Sequence, residues 1–353
     1  MNSVAEWSVE ENLKTVDPGC KHTAYSCELG ELSIRAMKTM VWNTLLGCGV
    51  SQVAQWKDWG RLNILMYHRL TELESLERQC VYLRRHCHLL PMDEVQARMA
   101  SGDPFPRGAI AVTIDDGYRD FANAWPVFSR HGVPVTVYLT TGFVDGQCWL
   151  WPDEVAELVN RSSLSEADVP IFGEVLRLSL RTSEQRGVAQ NELIETLKSV
   201  PDKDRRRVIA ELPDLLRSTL SADIPEHCRP LSWDEVRRLA AEGVNFAAHT
   251  RTHPILSRLQ DFDAMNDEIR GSRERLEEML QTSVRHFCYP NGRPQDIGVL
   301  VEEAVQKAGY RSAVTATRGL NGRKTSPFQL RRFGCEPDLP WQYFSRVVAG
   351  LVR

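Results

Sequence analysis

Residues 109–114, AIAVTI, form an apolar run, and Asp115 and Asp116 stand side by side at its end, followed by Gly117. Two carboxylates at the mouth of a buried strand repel each other and lose hydration. A turn that points both at water relieves that cost, and so does a cation between them. His249 ends a second apolar run, VNFAAH, and His253 follows in a short segment that stops at Pro254. Proline disfavours helix at the residue before it, so HTRTHP reads as a turn. His68 ends a third run, ILMYH. Taken singly these signals are weak: DDG is a common turn, and HxxxH occurs on many surfaces. Taken together, one carboxylate and two imidazoles at strand ends make a three-donor set with an open position. That is the donor count of a catalytic zinc site, whose chemistry is to acidify water and polarise a carbonyl. The other aspartate is then free to act as a base, and a dication offsets the repulsion within the pair.

Strands must carry these side chains. RLNILMYHRL, AIAVTI and VPVTVYLT read as strands, and strand-like runs return at VNFAAH, VRHFCYP, YRSAVTA and QLRRFGC. Helical patterns lie between them, in SLERQCVYLRRHCHLL, residues 119–130, SWDEVRRLAAEG and FDAMNDEIRGSRERLEEMLQ. Such alternation implies parallel strands with crossover helices. About seven strands point to an α/β barrel, in which working residues sit at the C-terminal strand ends. Residues 155–230 change character and read as a helical insertion, with the arginines at 205–207 on a solvated helix face. Residues 1–60 read as an N-terminal extension with a helix over 36–58, and 61–345 as the barrel. His86, Cys87 and His88 fall in one helix-like stretch, where adjacent residues do not converge. His286 reads as a packing residue.

The composition narrows the class. A net charge of −4 over 353 residues gives no basic field, so no nucleic-acid partner is expected. The nine cysteines are scattered and lack a CxxC pair, which implies free thiols and a reducing compartment. No run of eighteen apolar residues exists, and the acidic N-terminus is unlike a signal peptide. MKTMVWNTLLGCGV, from Met37, would pass for a weak signal if the chain started there, but reads better as an amphipathic helix. The expected location is cytoplasmic, or peripheral at the inner membrane face, with the oligomeric state left open.

The motifs resemble those of the NodB-type polysaccharide deacetylases, carbohydrate esterase family 4, over about residues 60–345. Thr113-Ile114-Asp115-Asp116-Gly117 is similar to that family's TFDDG, His249-Thr250-Arg251-Thr252-His253-Pro254 to its H-S/T-x-x-H-P, and Tyr289-Pro290-Asn291-Gly292 to its P-x-G. The resemblance implies a distorted (β/α)7 barrel and a metal-dependent hydrolase that removes N-acetyl groups from a sugar or polysaccharide. By the same resemblance Asp116, His249 and His253 hold a divalent metal, zinc first, with cobalt or nickel able to fill the set. Asp115 is the base, and the Asn291 amide beside Tyr289 and Pro290 faces the oxyanion. Many members carry an arginine where this chain has Cys288, and its aspartate partner is missing near AVTATRG as well. Many also take a general acid from a late histidine, and none follows His286 here. His68 offers a substitute, because ILMYH resembles the branch that deacetylates poly-N-acetylglucosamine. Arg332, in LRRF, binds substrate or pairs with a barrel acid. Trp149, Trp151 and Asp153 line a sugar cleft or pack beneath the insertion. The same machinery on a non-carbohydrate amide, or an inactive sugar-binding barrel, are the alternatives.

Overall fold

The computed structural model describes residues 60–351 apart from residue 222; the expected N-terminal extension, with its helix and the Met37 start, lies outside the described residues. Ten strands are formed: β1 Leu62–Tyr67, β2 His88–Leu89, β3 Ala109–Ile114, β4 Val135–Leu139, β5 Glu166–Ile171, β6 Glu174–Ser179, β7 Asn245–Ala248, β8 His286–Cys288, β9 Ser312–Val314 and β10 Phe333–Gly334. The main sheet runs β10-β1-β3-β4-β7-β8-β9, with β2 alongside β3, and every pair in it is parallel. The segment leading into β10 also reaches β9: Leu330 N–H donates to Ala313 O at 3.0 Å and Leu330 O accepts from Thr315 N–H at 2.8 Å. Phe333 then pairs with Leu65 of β1. The sheet therefore curls round on itself, a distorted barrel of seven strands.

Side-chain parity organises everything above it, because successive residues of a strand face opposite sides. In β3, Ala109 and Ala111 pack inside the barrel, while Ile110, Val112 and Ile114 face the outer helices. Small residues inside and large ones outside suit a narrow closed sheet. Leu62 and Ile64 of β1, Tyr138 of β4, Ala247 of β7, Cys288 of β8 and Val314 of β9 share the interior. Continuing each parity by one or two steps brings His68, Asp115 and His249 inward at the C-terminal strand ends, and Arg332 enters from the segment just before β10.

The insertion has its own core, in which Val155, Leu158, Leu193, Leu197, Val208 and Leu212 are fully buried. Helices Trp151–Arg161, Ser183–Ser199 and Asp202–Leu215 match the helical reading, but β5 and β6 form an antiparallel hairpin between them that the sequence reading did not expect. Its alternation lasts only six residues and contains Pro170, and the turn uses Phe172 and Gly173, both at positive φ, rather than Asn-Gly. A second difference is at Arg205: it is buried and ion-paired with Asp202, while Arg206 and Arg207 keep the expected solvated face. A third is that the helix of residues 73–86 ends at His86, leaving His88 in β2. The six described cysteines are unpaired. Among the described residues no helix is long and apolar enough to cross a membrane.

Candidate metal and catalytic site

Asp115 prolongs β3, its N–H donating to Tyr67 O at 2.9 Å. Asp116 would face outward if the strand continued. Instead Asp116 and Gly117 take left-handed φ values of 76° and 93°, and the reversal returns the Asp116 carboxylate to the interior side. Gly117 is required there, since a Cβ would sit 2.5 Å from Leu139 Cδ2. A left-handed aspartate costs about 1–3 kcal/mol and persists where the surroundings fix it, commonly at functional sites. Gly117→Ala is therefore expected to lower the melting temperature, because the added Cβ forces Asp116 and Leu139 apart.

His249 prolongs β7, and its ring Nδ1 lies 2.8 Å from Cys288 O, which presents Nε2 to the cavity. The turn to His253 is pinned from several sides. Thr250 and His253 have φ of 65° and 59°, Thr250 Oγ1 accepts from His253 N–H at 3.1 Å, and the Gly142 N–H donates to Arg251 O at 2.8 Å. Buried Glu268 accepts from the N–H groups of both Arg251 and Thr252 at 2.8 Å. It belongs to a π-helical stretch, Asp267–Gly271, a distortion that often marks working sites. Trp151 Nε1–H donates to His253 O at 3.2 Å, and the Arg205 guanidinium lies 4.9 Å from the Trp151 ring centre. The insertion thus braces the loop that carries His253.

Three atoms converge. His249 Nε2 and His253 Nε2 are 3.1 Å apart, and each lies 3.4 Å from Asp116 Oδ1. For metal–ligand bonds of about 2.0–2.1 Å in a tetrahedron, neighbouring donors are about 3.3–3.4 Å apart, so the triangle has the size of a zinc site. Burial, then the neighbouring His249, push His253 down to about 3, which leaves its ring neutral. Burial alone would raise the Asp116 carboxyl, but the His249 hydrogen bond and the facing imidazoles hold it well below its ordinary value. Two nitrogens and a carboxylate oxygen fit a divalent ion once it displaces the proton that the surrounding charges and hydrogen bonds hold on His249. A second group, Asp115, His249 and Cys288, is also close enough to share one. It does not fit: both Asp115 oxygens already face a cation, and burial pushes the Cys288 thiol up, so it stays protonated.

That cation is Arg332. Its Nη1 and Nη2 donate to Asp115 Oδ1 and Oδ2, each at 2.7 Å, and it is 1% exposed. Nη1 also bonds Thr113 Oγ1, and Nε bonds Thr315 O. Of the two alternatives for Arg332, the pairing with a barrel acid is present, and the guanidinium is buried behind that pair. It also accounts for Cys288: the sulfur lies 3.1 Å from Arg332 Nη2, in space that a longer side chain would claim. Burial opposes ionisation of Asp115, but the Arg332 charge outweighs it and lowers the carboxyl below its ordinary value.

His68 is partly open, its side chain 37% exposed, with Nε2 3.9 Å from Asp115 Oδ2 and Nδ1 3.1 Å from Glu336 Oε1. Burial lowers its pKa, yet the Glu336 hydrogen bond and the charges of Asp115 and Asp116 raise it above the ordinary histidine value. Glu336 also accepts from the N–H groups of His68 and Arg69. Asn291 has φ of 60°, and among the described residues no acceptor meets its backbone N–H within the protein. Gly292 beside it is packed so that a Cβ would lie 2.8 Å from Ala316 N.

His68, Asp115, Asp116, His249, His253, Tyr289, Asn291, Trp151 and Arg332 border one cavity of about 350 Å³, within the range of small-molecule sites. Several do so as framework. Tyr289 is buried with its hydroxyl donating to Phe328 O, and Pro290 is buried behind it. Trp151 is 5% exposed, so little of its ring is open to a sugar. Asp153 accepts from Tyr118 Oη. His286 is held by Ser312 and Asp93, away from this cavity.

A parallel α/β barrel with a three-donor cluster at its C-terminal strand ends is the class of protein that fold and site define. Residues 214–313, which contain the second and third motifs, match the family model for polysaccharide deacetylase. Its fold is that of the Streptococcus pyogenes deacetylase PplD in complex with acetate, with 15% identity, a TM-score of 0.54, and 83% of this chain and 99% of that one covered. IcaB from Ammonifex degensii shares 16% identity at a TM-score of 0.51, over 82% and 97%. A de-N-acetylase from Aggregatibacter actinomycetemcomitans shares 11% at 0.50, over 81% and 99%. No curated protein matches the chain in sequence.

Proposed function

We propose that this chain is a metal-dependent hydrolase that removes N-acetyl groups from an N-acetylated sugar or polysaccharide. The observation that carries the reading is the Asp116–His249–His253 triangle, sized for one ion, beside an independently held Asp115. A divalent ion held by these three side chains, zinc by the donor set, would polarise the acetamide carbonyl and acidify water. Asp115 accepts the proton of the attacking water; Arg332 occupies one direction on each oxygen, and a carboxylate has lone pairs to spare. The Asn291 N–H, fixed by its left-handed backbone, faces the oxyanion. His68 gives its proton to the departing amine. Tyr289, Pro290 and Trp151 shape the cleft. Acetate release from a chitin oligomer, abolished by a chelator and restored by zinc, is the expected result; no release from any N-acetylated sugar by zinc-loaded protein overturns the reading.

The acid assignment has its own pH test. Glu336 raises the His68 pKa, so His68 stays protonated to higher pH than a free histidine. An acid works while protonated, so activity falls on the alkaline side as His68 deprotonates. Glu336→Gln removes the charge that holds the proton, and the alkaline limb of kcat is expected to move to lower pH. A limb that stays in place excludes His68 as the acid.

A further inference from the structure

Two cations border the cleft mouth. Lys198 comes from the last turn of insertion helix Ser183–Ser199, and Arg293 from the loop after β8; both line the same cavity as His68 and the metal-sized triangle. One carboxylate holds both. Lys198 Nζ is 2.7 Å from Glu195 Oε1, and Arg293 Nη1 and Nη2 lie 2.9 and 3.1 Å from Glu195 Oε2 and Oε1. Glu195 itself does not border the cavity. Two positive charges therefore share one negative partner beside the ligand space, which leaves one positive charge in excess. A lysine in a last turn suits the helix dipole wherever it points, and the two-pronged Arg293–Glu195 pair is enough to tie the insertion to the barrel. Lys198 is surplus to both needs, and it faces the cleft.

The interior does not balance this charge. Asp115 is neutralised by Arg332. Asp116 is the carboxylate of the donor triangle, and a dication there would more than cancel it. His68 and Glu336 pair with each other. A cleft of one sign with low-dielectric walls gathers ligands of the other. A neutral N-acetylhexosamine polymer has no use for two cations at the mouth.

We propose that the substrate carries an anionic group, a carboxylate or a phosphate, on or next to the N-acetylated ring, and that Lys198 and Arg293 hold that group. This rests on the deacetylase reading and deepens it: the insertion supplies a specificity residue to the barrel's site. Two of the five N–H groups of Arg293 go to Glu195, and those that remain meet the oxyanion, while Lys198 adds a point charge.

The test uses zinc-loaded protein and three probes: chitobiose, an N-acetylglucosamine phosphate, and an N-acetylglucosamine–glucuronate disaccharide. Acetate release and calorimetric binding are measured for each. At least one anionic probe is expected to be preferred over chitobiose by about tenfold or more, in affinity and in kcat/KM, as for a charge-assisted hydrogen bond; which one separates a carboxylate from a phosphate. Lys198→Gln/Arg293→Gln is expected to erase that preference through KM rather than kcat, and Lys198→Arg to retain it. Equal handling of neutral and anionic probes by the wild type overturns the proposal. So does a preference that survives the double substitution, because the metal alone would then be gripping the anion. If no probe releases acetate, the deacetylase reading falls, and the binding preference still decides whether the mouth selects anions.

Discussion

Asp115→Asn is expected to cut acetate release by about a hundred- to ten-thousand-fold, the span a general base contributes, and to leave zinc uptake intact. It also removes the only carboxylate, among the described residues, on buried Arg332, whose other partners there are a hydroxyl, a carbonyl and a thiol. Stranding one member of a buried pair costs about 3–5 kcal/mol, with asparagine's remaining acceptor favouring the lower end. The same substitution should therefore lower the melting temperature. The two losses separate in Asp115→Asn/Arg332→Met: stability returns, because no buried charge is left alone, while activity does not. Arg332→Met by itself should destabilise through the orphaned carboxylate, and its pH dependence has a fixed sign. Pairing lowers the Asp115 pKa in the folded state, so the pair's contribution is present above the unfolded carboxylate value of about 3.9. It is lost as pH falls through the lower folded value. Melting curves of wild type and Arg332→Met should thus lie furthest apart near neutrality and converge in acid. Unchanged release from Asp115→Asn would remove Asp115 from the reaction, whatever the melts show.

The barrel was legible because the signals that specify it are local. Runs such as AIAVTI alternate small and large residues, and that period of two sets which side chains enter the barrel. The site was legible for the same reason: His68, Asp115 and His249 are each the first inward polar residue past an apolar run. Asp116 is the instructive exception. Parity assigns it to the outside, and only its left-handed backbone brings it back; the adjacent glycine was the available sign. What sequence could not give were the partners drawn from distant turns. Arg332 pairs with Asp115 across 217 positions. Cys288 looked like a lost arginine, yet the guanidinium arrives from the segment leading into the last strand and the thiol leaves room for it. Glu268, which pins the His249–His253 turn, sits in a helix with no motif around it. Glu336 carries only a faint signal, an acid at inward parity beyond β10. The insertion's role was hidden because Trp151, Arg205 and Lys198 meet the barrel only through tertiary packing.

Removing one corner of the donor triangle should have the other large effect, and metal affinity reads it without any substrate. Wild type is expected to gain thermal stability with zinc, since an ion that binds only the folded chain stabilises it by about 2.7 kcal/mol at a hundredfold excess over Kd. Asp116→Ala and His249→Ala should lose that gain. The comparison that gives this force is with a support. Glu268→Gln leaves all three donors in place but weakens the hold on their turn, and supporting residues of this kind cost about 10–100-fold in affinity. The ordering expected is wild type, then Glu268→Gln, then Asp116→Ala, in titrations followed by melting and by bound-metal analysis. Protons supply a further check. In the metal-free chain His249 holds its proton above the ordinary histidine value, because the charges and hydrogen bonds around it outweigh the cost of burial. Zinc must displace that proton, so binding should release acid and weaken as pH falls. A zinc-dependent gain in Asp116→Ala equal to that of wild type would mean that any bound ion sits elsewhere, and the triangle would be two histidines hydrogen-bonded to an aspartate.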